Sequence, residues 1–288
     1  MNNGYQKYWL AIVLTVAVTL QGCAVDVTPE NFIYQDKRQQ PLDLKTIQNN
    51  LTETAPHAEA EVVSVTAGDG VKLSGLKMQL PQARANVLLY GGNGMTIAKA
   101  HKVLRYFARI PVNLVWFDYR GTGSSGGRGT LSIDQLKRDA LITYGEVAEL
   151  LPSRLPTFIH GLSMGSLIGA YVANNSEVSG LVLDGAIANV PELVERLSPA
   201  VVEVNLAPEL AVIDNRQQLQ QFERPLLLLV GEEDTTTPPE YAQSLYERAA
   251  SESKLLVVIP EASHGATIKS DKAIQAYRHF LTEGIPIP

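Results

Sequence analysis

From residue 86 onward, short unbroken apolar runs alternate with longer stretches of helical period. The runs fall at 86–90, 112–118, 157–160, 180–184, 225–230 and 254–259. The helical stretches fall at 97–109, 132–151, directly after Ser163, and at 239–250 and 270–282. A strand rich in Val, Leu and Ile on both alternating faces has no side to turn to water, so it must be covered by helices above and below. Helical crossovers between such strands make them parallel. Upstream, Gly68-Asp69-Gly70 lies between two strand-like runs, 62–65 and 71–76, and reads as a hairpin turn. The pattern predicts an α/β sandwich with a mostly parallel sheet of about eight strands and helices on both faces. At 288 residues and 45% hydrophobic, the chain can fill one such core. About 40 residues between Asp184 and Pro225 carry helix signals without a clear strand. They are expected to form a small cap, about 186–223, over the C-terminal edge of the sheet.

The first residues follow a different logic. Lys7 precedes an apolar stretch of 12 residues from Trp9 to Leu20. About 20 are needed to span a bilayer as a helix, so this is a signal-peptide core rather than a span. It ends in Leu20-Gln21-Gly22-Cys23, which resembles the lipobox of bacterial lipoproteins. The resemblance implies removal of residues 1–22, lipid attachment to Cys23, and a chain held in the cell envelope outside the cytoplasm. Ala24 is not the aspartate of inner-membrane retention, which implies the outer membrane. Cys23 is the only cysteine, so an intramolecular disulfide and a cysteine-based metal site are ruled out. Residues 23–60 are polar, punctuated by Pro29, Pro41 and Pro56, and read as a tether and N-terminal extension with a short helix at 43–51. The 30 acidic residues exceed the 24 basic ones and no basic stripe is present, so no nucleic-acid partner is expected.

Gly161-Leu162-Ser163-Met164-Gly165 stands where a strand passes into a helix. A serine on such a sharp turn is a nucleophile elbow, with glycines where side chains would collide. The following helix aims its N-terminal N–H groups at whatever sits on the serine. The same five-residue pattern recurs at Gly123-Ser124-Ser125-Gly126-Gly127 with no apolar helix behind it, and there reads as a glycine-rich loop.

Together with Asp118-Tyr119-Arg120-Gly121-Thr122-Gly123-Ser124-Ser125, these features resemble the α/β-hydrolase superfamily of serine hydrolases over about 61–282, which sets the hydrolase domain at 61–288. The resemblance implies the chain order nucleophile, acid, histidine. Of the five histidines, His264 lies in the loop after the last strand and is the expected base. His57 precedes the core, His101 lies on a surface helix, His279 lies in the terminal helix, and His160 ends a strand as a packing residue. The turn Gly231-Glu232-Glu233-Asp234 offers Asp234 as orienting acid, with Glu232 and Glu233 beside it and Asp184 as the other position the superfamily uses. The oxyanion donors implied are the Met164 amide and one from Tyr90-Gly91-Gly92-Asn93-Gly94, Asn93 or alternatively Gly92. Gly91 stands where related enzymes carry a histidine. No Lys-Ser/Thr follows these glycines, so they are not a P-loop. Arg120 is expected to be structural. Leu193, Val194, Leu197, Val201, Val202, Leu206 and Leu210 of the cap are candidates to line an acyl pocket. The implied activity is cleavage of a carboxylic ester or thioester, with a small-molecule acyl ester or lipid as substrate and no cofactor or metal. A non-catalytic scaffold and a serine peptidase are the alternatives.

Overall fold

The computed structural model describes residues 24–283. Residues 1–22, expected to be a signal peptide, and Cys23 lie outside the described residues. Eight strands form one sheet: β2 (Glu59–Thr66), β3 (Lys72–Gln79), β4 (Ala85–Tyr90), β5 (Val112–Phe117), β6 (Thr157–Leu162), β7 (Gly180–Asp184), β9 (Leu226–Gly231) and β10 (Lys254–Ile259). Their spatial order is β10-β9-β7-β6-β4-β5-β3-β2. The β2–β3 and β3–β5 pairs are antiparallel and the other five are parallel.

The sheet splits the core in two. Leu88, Tyr90, Ile159, Leu181, Leu183 and Leu228 face one layer. Val87, Leu89, Phe158, Val182, Leu227 and Leu229 face the other. Successive residues of one strand thus serve opposite cores, which is why the runs show no polar alternation. The main helices are α1 (Leu44–Thr52), α2 (Ile133–Gly145), α3 (Met164–Asn174), α4 (Val190–Leu197), α5 (Pro239–Arg248) and α6 (Asp271–Glu283). The continuous helix expected at 97–109 is instead three short turns, Ile97–Ala100, His101–Val103 and Leu104–Phe107.

Two expectations change. The cap contains a strand, β8 (Val204–Leu206), whose partner is β1 (Val25–Val27), far away in sequence. Residues 24–40 are therefore not a loose tether but a strap fastened to the domain. Its residues Ile33 and Asp36 are buried. Asp36 N donates to Gly121 O at 3.0 Å and Gln40 N to Gly123 O at 2.7 Å. The Asp36 carboxylate accepts from Gly123 N at 2.7 Å and pairs with Lys99 at 3.1 Å. Among the described residues no helix is long and apolar enough to cross a membrane.

Candidate active site

The site is built where the parallel strands end, as is usual for open α/β sheets. Ser163 follows β6 with φ +53° and ψ −118°. Left-handed geometry of this kind costs a non-glycine residue about 1–3 kcal/mol and persists only when its surroundings dictate it. Here the Ser163 amide donates to Asp184 O at 2.9 Å and its carbonyl accepts from Ser166 N at 2.8 Å. The glycines follow from contact distance. A Cβ at Gly161 would lie 2.5 Å from Gly165 O, and one at Gly165 would lie 2.0 Å from Tyr90 O.

Ser163 Oγ lies 2.9 Å from His264 Nε2, and His264 Nδ1 lies 2.8 Å from Asp234 Oδ2. Burial pushes the Asp234 carboxyl up, but the hydrogen bond and charge of His264, with the bonds from Thr237, outweigh it and hold it below its ordinary range. An ionised carboxylate only accepts, so Nδ1 carries the imidazole proton and the Nε2 lone pair faces the serine hydroxyl. Asp234 is fixed from its other side. Its Oδ1 accepts from Thr236 N at 2.9 Å and Thr237 N at 2.8 Å. Thr237 Oγ1 lies 2.9 Å from both Asp234 Oδ2 and Gly185 O, and 3.1 Å from His264 Nδ1. Sequence reasoning missed Thr237, although it directly follows Thr236, whose N–H closes the Asx turn on Asp234. Glu232 and Glu233 are exposed on the same turn.

The loop after β4 runs against the serine. A Cβ at Gly92 would lie 3.4 Å from Ser163 Cβ. Among the described residues no acceptor takes the Asn93 amide, and the Asn93 side chain is turned away from the site. Its Oδ1 accepts from Tyr34 N at 2.7 Å and its Nδ2 donates to Phe32 O at 2.8 Å, clamping the strap to this loop. Gly91 has a local reason: a Cβ there would lie 3.3 Å from the buried Trp116 indole nitrogen. Beside Met164, a cavity of about 100 Å³ opens between α3 and the cap, lined by Phe32, Ile33, Leu167, Leu210 and Ile213 among others. Only Leu210 of the cap residues named from the sequence lines it. Leu193 and Val194 are buried in the core, and Leu197 and Val201 face outward, because β8 turns the cap chain toward the strap.

The remaining candidates have structural settings. Ser125 Oγ donates to Asp118 O at 2.6 Å and accepts from Ser74 N at 2.9 Å, pinning β3 to the end of β5. Arg120 is fully buried between Asp139 and Asp69. His160 is fully buried, packed edge-on to Phe107 and stacked on Tyr277, and burial pulls its pKa down to about 3.

Asp184 is bonded not to His264 but to the Thr267 hydroxyl. Burial raises its pKa from 3.8 to about 7, with Asp234 adding to the rise and Thr267 and His264 opposing it. The folded state therefore holds this proton between about pH 4 and 7 while the unfolded chain has lost it, and stability falls as pH rises through that window. Asp184→Asn is expected to stabilise the protein at pH 8 on the order of a few kcal/mol, with the gain fading below pH 4, measured by urea unfolding across pH. Its kcat/KM is expected to stay within about tenfold of the parent, since Asp184 does not hold the imidazole.

The chain resembles known proteins in sequence and in fold. The chain is 23% identical over 227 residues to the uncharacterized membrane protein YNL320W of Saccharomyces cerevisiae, covering 77% of this chain and 80% of that one. It is 26% identical over 194 residues to the lysophosphatidylserine lipase ABHD12 of Danio rerio, 60% of this chain and 50% of that one. The Pyrococcus furiosus esterase Pf2001 superposes with a TM-score of 0.69 at 20% identity, covering 88% of this chain and 100% of the esterase. The sheet order and the helices on both faces are those of the α/β-hydrolase fold. The family model Hydrolase_4, described as serine aminopeptidase, S33, matches residues 81–214 and 210–271, and the chain belongs to that family.

Proposed function

We propose that the protein is a serine hydrolase that cleaves carboxylic esters or thioesters of apolar acyl groups through an acyl-enzyme on Ser163. The observation that carries this reading is the hydrogen-bonded series from Ser163 through His264 to Asp234 on a strained strand-to-helix turn. Ser163 Oγ attacks the acyl carbonyl while His264 Nε2 takes its proton. Asp234 stabilises the imidazolium that forms. The amides of Met164 and Asn93 receive the oxyanion, at the positive end of α3. Collapse of the tetrahedral intermediate expels the alcohol or thiol, which takes the proton from His264. Water activated by the same imidazole then releases the acid. Every step uses a group the chain itself supplies.

The apolar cavity beside Met164 supports an acyl substrate, and the lipase named among the relatives acts on a lipid ester. The family description favours a second reading, an aminopeptidase. Such an enzyme needs a free carboxylate for the substrate's α-amine. Among the residues lining the cavity Asp214 is the one carboxylate; its Oδ1 accepts from Arg216 N at 2.7 Å, and hydrolysis of aminoacyl anilides tests whether it also takes an amine. We further propose that Cys23 carries the lipid anchor and holds the protein in the cell envelope, at the outer membrane.

Ser163→Ala is expected to abolish labelling by a fluorophosphonate probe and to lower p-nitrophenyl ester turnover by about 10³-fold or more. Labelling that persists in this variant overturns the assignment. A series of p-nitrophenyl esters, acyl thioesters and aminoacyl anilides separates the two readings, with the aminoacyl anilides expected to be the poorest substrates.

A further inference from the structure

The first described strand of the chain lies against the cap. In the parallel pair of β1 and β8, Val25 lies opposite Val204, and Val25 N donates to Glu203 O at 2.8 Å. On the cap side the chain reaches this pair from a turn closed by Val202 N on Pro199 O at 2.9 Å, just after Val201. Cys23 is two residues from Val25, a reach of at most about 7 Å. A lipid on Cys23, as proposed above, would be joined within two residues to a strap that is fastened to the domain as far as residue 40. The cap beside it presents large apolar side chains to solvent. Val201 is 94% exposed, Val212 74% and Leu197 42%. The helical turn Pro208–Ala211, which leads into Val212, packs against α4, which ends at Leu197. Val212 also stands on the rim of the apolar cavity beside Met164.

We propose that this cap face rests on a phospholipid bilayer, with Leu197, Val201 and Val212 in its interfacial layer and the cavity rim turned toward the lipid. The proposal rests on the lipoprotein and acyl-hydrolase reading above and adds the orientation. A lipid anchor holds a protein at the surface without setting which face meets the bilayer, and a second apolar contact fixes that posture. The posture gives the substrate's acyl chain a path along Val212 from the bilayer into the cavity beside Met164. The exposed carboxylates around the face, Glu195, Glu203 and Glu209, disfavour an anionic surface, so zwitterionic lipid is the fitting partner.

The full lipidated protein, reconstituted in vesicles of phosphatidylcholine and phosphatidylethanolamine, provides the test. Cys23 is the one native cysteine, and acylation blocks it, so Val201→Cys accepts an environment-sensitive nitrobenzoxadiazole label at a single site. Its emission is expected to shift to the blue and to be quenched by spin-labelled lipid. The same label at Arg154→Cys, exposed just before β6 at the opposite end of the strands, is expected to show neither effect. The double variant Leu197→Asp, Val201→Asp is expected to hydrolyse a long-chain ester embedded in vesicles about tenfold more slowly while keeping its rate on a short soluble ester. Cys23→Ser is expected to stop the protein from floating with vesicles. A label at 201 that stays in water while the protein floats overturns the docking and leaves the hydrolase reading intact. A parent protein that fails to float overturns it as well. A parent that docks but turns over no ester refutes the hydrolase reading instead.

Discussion

Asp234→Asn is expected to lower kcat by about four orders of magnitude while leaving the fold in place. The fold survives because an asparagine Oδ1 can still accept from Thr236 N and Thr237 N, the two bonds that shape the turn. The catalytic loss comes from the other atom. At the position of Oδ2, 2.8 Å from His264 Nδ1, an acceptor is replaced by an N–H donor. The imidazole then keeps its lone pair on Nδ1 and its proton on Nε2, aimed at the Ser163 hydroxyl, and cannot accept the proton that attack must release. The imidazolium would also lose the buried negative charge that stabilises it. The measurement is steady-state hydrolysis of a p-nitrophenyl ester, with near-ultraviolet circular dichroism to show that the core is unchanged. Retention of activity within about tenfold would transfer the orienting role elsewhere. Asp184→Asn discriminates the rival carboxylate, and glutamine at Glu232 or Glu233 is expected to change little because both residues are exposed and the one bond of Glu232, accepted from Glu261 N at 3.3 Å, is open to a glutamine oxygen.

What could be read from the sequence was whatever is encoded locally. The strand run at 86–90 appears nearly to the residue, because a doubly covered strand must be apolar throughout, and the run at 254–259 is equally legible although β10 is a partly exposed edge strand. The elbow was legible because its serine, glycines, strand and helix are contiguous. The strap was not. Its bonds join residues far apart in the chain, 59 positions between Tyr34 and Asn93 and 87 between Asp36 and Gly123, and leave no period in the sequence. The strand in the cap was missed for the same reason, since β8 is three residues long and exists through pairing with β1. The outward face of Val201 follows from that pairing, whereas hydrophobicity alone suggested a pocket. Asp184 shows the limit of position in the sequence as a guide. It ends the strand where an acid can serve the histidine, yet its carboxylate is held by the Thr267 hydroxyl and its carbonyl by the Ser163 amide.

Gly165→Val is the substitution expected to cost the most stability. The Cβ it adds would lie 2.0 Å from Tyr90 O, 2.6 Å from Tyr90 C and 2.8 Å from Gly91 O. These are main-chain atoms of the central strand β4 and the loop that follows it, so no rotamer change relieves the clash. Relief requires α3 to lift from the sheet. That movement would carry Met164 away from Asn93 and open the buried interface that α3 makes with β6 and β7. Overpacked cores usually lose about 1–3 kcal/mol. Here the obstruction is backbone on both sides, and the loss is expected to exceed about 4 kcal/mol, lowering Tm by roughly 10 °C or more or leaving the protein insoluble. Gly145→Ala is the matched control. Nothing lies within 4 Å of its added Cβ and it sits in the last turn of α2, so it is expected to stabilise by about 0.5–1 kcal/mol. Differential scanning calorimetry of the two variants separates steric need from glycine content. A Gly165→Val protein that melts with the parent would mean that the elbow helix can ride higher on the sheet, and that the close approach of Met164 to the oxyanion loop is not what this glycine is for.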